Sequence, residues 1–173
     1  MKGNLKAILL TLKVLILFMC GTAIVQFFNA YKLMAVPGEA ETMAREQFEG
    51  MHGVANQPVT LAVFYALYGL LLCYLVYVLL QLRRSFIRLN NDEVFYENQP
   101  SEFKKASSGI IIFAKTKYLL FIFVGVFWFN NPRIIFTEIP MLLVGYLSGK
   151  IIYVFHYLTQ KGTLLKEETD LTI

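Results

Sequence analysis

The chain has 173 residues, of which 57% are hydrophobic, 15% aromatic and only 16% charged, with a formal net charge of +4. A soluble domain carries roughly 25% charged residues, and the mean hydropathy here is positive, so composition argues against a water-soluble globular protein. The basic residues mostly border apolar runs, where membrane orientation and anionic headgroups account for them and no direct nucleic-acid contact is expected.

The N-terminal stretch MKGNLKAILLTLKVLILFMCGTAIVQFF has a basic start and an apolar run to Phe28. The run is longer than a secretory core, and bulky Met19 stands where a cleavage box needs a small residue, so we read an uncleaved first span over about residues 5–28. Residues 29–58 form the longest polar loop, expected outside the membrane. Within it Glu46, Glu49 and His52 are spaced to share a helix side, but they match no known ligand signature and read as a solvated acidic face; no metal site is expected.

The second span, about 59–82, sets the frame. VTLAVFYALYGLLLCYLVYVLLQL holds 24 residues without a formal charge and ends at Arg83 and Arg84. At ~1.5 Å per residue a helix of that length crosses a ~30 Å hydrocarbon core with some tilt. The following loop, 83–109, is basic at both ends through Arg83, Arg84, Arg88, Lys104 and Lys105, and its apolar residues predict packing along the interface. A third span over about 110–129 ends in Trp128 and Phe129 as interfacial aromatics. Asn130-Asn131-Pro132 predicts a tight turn. A fourth span, about 134–158, should be irregular near Pro140, and the tail 159–173 is polar.

Basic residues concentrate in the N-terminal flank, in loop 83–109 and in the tail, whereas loop 29–58 and the second turn are poor in them. Four spans with both termini cytoplasmic satisfy this alternation. The expected fold is an all-α integral membrane protein, a bundle of four transmembrane helices in the inner membrane of the cell. Cys20 and Cys73 sit singly in apolar runs and read as packed thiols.

No hydrolase triad, phosphate loop or two-histidine zinc motif is present, so no catalytic residue and no cofactor is expected, and His156 reads as a packed or interfacial histidine. The unusual residues are Lys13, Lys115, Lys117 and Lys150, all inside apolar spans, ~7–12 Å from their inner ends. No carboxylate is expected at that depth, Glu138 being placed near the outer end of the fourth span. Two readings stand side by side. Each lysine snorkels to inner-leaflet phosphates, or several of them line a basic cavity that binds a lipid headgroup, another anion, or the acidic tail residues Glu167, Glu168 and Asp170. Gly145 and Gly149 form a GxxxG spacing that packs a helix closely, either within the chain or in a homo-oligomer.

The segment NNDEVFYENQPSEFKKASSGIIIF, with Phe95, Glu97, Asn98 and Phe103, and the ending Gly162–Ile173, with Glu167, Glu168, Asp170 and Leu171, resemble a bacterial family, domain of unknown function 2975. The four-span order is similar over nearly the whole chain. Such proteins are often encoded beside a small Xre-like helix-turn-helix regulator. The resemblance therefore implies a membrane protein coupled to a cytosolic DNA-binding partner, with those eight residues as docking candidates. It carries over no catalytic residue.

Two functions compete. The first is a non-enzymatic protein that senses or sequesters such a regulator through loop 83–109 and the tail. The second is a small transporter, or a membrane-stress or immunity protein, that uses a basic intramembrane anion or lipid site.

Overall fold

The computed structural model describes residues 2–36, 38, 40, 43, 57–91, 96 and 98–170, excluding the side chains of 2, 57 and 166–170. Helix α1 covers Lys2–Ala35, α2 Gln57–Asn90 and α3 Gln99–Ile122, which continues as a π-helical stretch over Phe123–Trp128. A single turn, α4 (Ile134–Thr137), leads into α5 (Ile139–Asp170). Among the described residues there is no strand. In hydrocarbon no water can satisfy a free amide or carbonyl, and a helix satisfies its own. Among the described residues four helical stretches are long and apolar enough to cross a bilayer: Gly3–Ala35, Pro58–Asn90, Gln99–Trp128 and Ile134–Leu165. The protein is an all-α, multi-pass membrane protein.

The helices overrun the apolar segments that define the spans. The first continues through Asn29 to Ala35, the second past Leu82 to Asn90, and the fourth past Leu158 to Asp170. The third begins at Gln99, well before Ile110. Most of the expected loop 83–109 is therefore helix. Hydropathy marks where lipid ends, whereas a helix ends where its backbone finds a better partner or its side chains stop packing. Beyond the lipid boundary Phe86 and Phe103 still pack, their ring centroids 5.8 Å apart.

The irregularities have local causes. The amide of Asn131 donates to the carbonyl of Gly125 at 2.9 Å, a wide closing bond that ends the π-helical stretch. Asn130 follows with φ 49°, a left-handed conformation that asparagine tolerates better than most residues. The fourth span breaks at Glu138, between α4 and α5. Pro140 has no amide to offer the carbonyl of Phe136, so the helix cannot run unbroken through this point.

The spanning helices stand in a row: α1 packs on α2, α2 on α3, and α3 on α5. The two outer helices bury few of their residues and turn long apolar faces to lipid, with Leu17, Phe18, Ile24, Leu147 and Ile151 among the exposed side chains. Two buried clusters join the row. One, toward the 29–58 end, gathers Leu33, Leu61, Phe64, Tyr65, Phe121, Val124 and Ile134, with Phe121 edge-on to Phe64 at 5.1 Å. Phe129, expected at the interface, is buried in it, and Trp128 packs against it. The other, toward the chain termini, gathers Ile16, Leu75, Val78, Leu79, Leu82, Phe103, Ala106 and Ile110.

Glycines set the close approaches. A Cβ on Gly109 of α3 would lie 2.5 Å from Val78 of α2. On α5, a Cβ on Gly145 would lie 2.7 Å from the Cβ of Ala114, and one on Gly149 would lie 2.5 Å from Ile111. The hydroxyl of Ser107 donates to the carbonyl of Gly149 at 2.8 Å, in a buried position. The GxxxG face thus lies against α3 of the same chain. Gly149→Val should destabilise the protein by about 1–3 kcal/mol through overpacking. Thermal unfolding in detergent will show this as a lowered midpoint, while Gly21→Val, where an added Cβ meets nothing within 4 Å outside its own helix backbone, leaves the midpoint unchanged.

Candidate functional site at the basic end

The ends of α2 and α3 near the chain termini carry a built polar cluster. Glu102, in the first turn of α3, suits the positive end of that helix. It accepts three hydrogen bonds: from Ser85 of α2 at 2.5 Å, from Arg88 of α2 at 3.1 Å, and from the hydroxyl of Tyr96 in the connection. The Arg88 guanidinium also lies over the Tyr96 ring, 5.1 Å from its centroid. Ser85 is fully buried, so its hydroxyl needs this partner. One carboxylate therefore fastens two helices and the turn between them.

Burial, followed by the bond to Glu102, pushes the Tyr96 phenol above its usual value of 10.0. The folded state holds that proton more tightly than the unfolded chain. Its contribution to stability is present below pH 10 and is lost as pH rises through the folded-state value.

The start of α3 is tied to α5 as well. Nδ1 of His156 donates to the carbonyl of Pro100 at 2.7 Å, and Phe155 packs on Phe103. Beside these, Gln99 is 1% exposed, with neither amide atom hydrogen-bonded.

The docking candidates divide. Phe103 is 1% exposed, inside the core, and this corrects its expected role: it anchors α3 between Phe86 and Phe155 and offers nothing to a partner. Phe103 is a docking candidate only as part of the segment that carries the family resemblance, and sequence does not show which face of a helix is covered. Asn98 is exposed at the start of α3, where its carbonyl receives the amide of Glu102. Glu167, Glu168 and Asp170 lie on the last turns of α5, their side chains undescribed. Phe95, Glu97 and Leu171 lie outside the described residues, as do Glu46, Glu49 and His52.

The intramembrane lysines are not gathered into one cavity. Lys13 on α1 and Lys150 on α5 are exposed on the two outer helices, and Lys115 is exposed on α3. Lys150 lies near the rings of Tyr146 and Tyr153, at 5.4 and 5.8 Å. Lys117 has the carboxylate that the sequence did not place at its depth: its Nζ is 2.7 Å from Glu138, the side chains being 11% and 18% exposed. Its ammonium also sits 4.6 Å from the Phe121 ring centroid. The helix break before Pro140 brings Glu138 into the row, which apolar counting along the chain could not show.

Ser85, Glu102 and the His156–Pro100 bond were missed because their partners are distant in sequence. The one local signal was an acidic residue two positions after the proline that opens a helix. Among the described residues no group of histidine, cysteine and acidic side chains could hold a metal ion.

A family model described as "Protein of unknown function (DUF2975)" matches residues 44–173, that is, everything from the middle of the first polar loop onward. The chain belongs to that family. No curated protein and no solved structure matches it.

Lys117→Met should leave Glu138 unpaired and destabilise the protein by on the order of 3 kcal/mol, whereas Lys117→Met with Glu138→Gln should recover most of the loss. Unfolding midpoints of both variants in detergent check the order. In a spectrophotometric titration, the difference between wild type and Tyr96→Phe should show one phenol ionising above pH 10.0. A difference centred at or below that value would remove the Glu102–Tyr96 bond from the account.

Proposed function

We propose that this DUF2975 member is a non-enzymatic protein of the inner cell membrane, with both termini in the cytoplasm, that holds a cytosolic helix-turn-helix regulator of the Xre-like class. The observation that carries the reading is the helical platform at the basic end. There α2 runs to Asn90, α3 starts at Gln99 and α5 runs to Asp170, all past their apolar segments, and Glu102 and His156 fasten them together. A preorganised surface loses less entropy on binding than a free loop and tail would. The orientation is supported by Lys6, Arg83, Arg84, Arg88, Lys104, Lys105 and Lys161 at that end, against Lys32, Arg45 and Arg133 in the other two connections.

The docking set is Asn98 with the acidic end of α5, Glu167, Glu168 and Asp170, joined by Phe95, Glu97 and Leu171. Phe103 is withdrawn from it. The transporter reading receives less support, because the spanning helices stand in a row and Lys13 and Lys150 sit on its two outer members.

Co-purification of the co-expressed regulator with the full-length chain should fall sharply when residues 163–173 are removed, and in part with Asn98→Ala. Equal recovery from all three would argue against docking at this end. Reporter fusions at the two termini should both report the cytoplasm.

A further inference from the structure

We propose that the groove between α2 and α3 at the basic end is a site for one anionic phospholipid of the bilayer. The phosphate rests on Arg84, Lys104 and Lys105, and an acyl chain lies along Tyr74, Val78 and Ile112. This proposal does not depend on a regulator, and it uses none of the four intramembrane lysines.

Two adjoining hollows make up the site. The larger, about 540 Å³, runs between the helices from Tyr74 and Ile112 up to Lys104 and Lys105. The smaller, about 200 Å³, shares Gln81 and Lys105 with it and adds Arg84, Arg88 and Glu102 at the mouth. Gly109 forms the floor, where α3 touches Val78 so closely that no Cβ fits.

Charge selects the headgroup. Glu102 already accepts from Arg88, Ser85 and Tyr96. Arg84, Lys104 and Lys105 are exposed, and among the described residues none of them has a carboxylate partner. Three cations around one mouth, with its lining acid Glu102 already paired to Arg88, call for an anion. Shape selects the lipid. From Ser101 to Ile112 the α3 wall runs ~16 Å along the helix axis. Its lower part is aromatic and aliphatic and lies within an apolar span. A soluble phosphate would use only the lip, whereas a phospholipid fills lip and wall together. Ser108, between Lys105 and Ile112 on the same wall, suits the glycerol and ester oxygens.

The test uses the full-length chain purified in mild detergent and native mass spectrometry, comparing phosphatidylglycerol with phosphatidylcholine of identical acyl chains. Wild type should retain phosphatidylglycerol preferentially. The triple variant Arg84→Gln, Lys104→Gln, Lys105→Gln should lose that preference by roughly tenfold or more. A control with Lys2→Gln, Lys6→Gln and Lys161→Gln, which removes as many charges at the same end, should keep it. Ile112→Trp should also displace the lipid with every charge intact; Ile112 is half-exposed, so this variant tests the groove even where the triple variant fails to fold. Millimolar inorganic phosphate should leave the lipid bound. Equal loss in the control would overturn the proposal in favour of diffuse attraction. Retention in Ile112→Trp, or displacement by free phosphate, would overturn it in favour of a headgroup-only contact.

Discussion

Close approach of helix backbones is the constraint on which this architecture depends. Between helices in lipid there is little hydrophobic drive, because acyl chains are as apolar as leucine, so association rests on contact and on buried hydrogen bonds. The stretch Ser107–Ala114 of α3 supplies both, to both sides. Gly109 lets in Val78 from α2, Ala114 and Ile111 meet Gly145 and Gly149 of α5, and Ser107 donates across to the Gly149 carbonyl. With α3 fixed between its neighbours, the other polar features gain their geometry.

Polar bonds then divide the row by depth. At the basic end Glu102 collects Ser85, Arg88 and Tyr96, and His156 reaches Pro100, so α2, α3 and α5 are held as one body where water begins. Deeper in, Lys117 and Glu138 neutralise each other across α3 and the break before α5. In a low dielectric either charge alone is expensive, so each accounts for the presence of the other. Of the two outer helices, α5 shares in these bonds through His156 and Gly149, whereas α1 turns a long apolar face to lipid.

The basic end thereby becomes a surface with defined relief. Its helices project past the lipid boundary, Glu102 is already satisfied, and Arg84, Lys104 and Lys105 are exposed around a groove that continues into the hydrocarbon. A protein partner on the platform and a lipid in the groove would use different sides of α3: Asn98 and the end of α5 for the first, the α2-facing wall for the second.

The sequence by itself determined the solvent and the number of crossings. Uncharged length needs no partner to be read, since each span satisfies its own backbone and faces lipid over much of its surface. The break near Pro140 and the turn at Asn130 were legible for the same reason: proline's missing amide and asparagine's tolerance of positive φ are properties of single residues. Tertiary structure alone decided which charges meet and which faces are covered. Phe103 stands in the segment that carries the family resemblance, yet α2 and α5 close over it, and Glu138 looks remote until the helix break carries it to Lys117. Glu102 was one acid among several until Ser85, Arg88 and Tyr96 converged on it. These outcomes depend on the rotation and depth of each helix against its neighbour, which pairs of residues far apart in the chain fix jointly and no single stretch encodes.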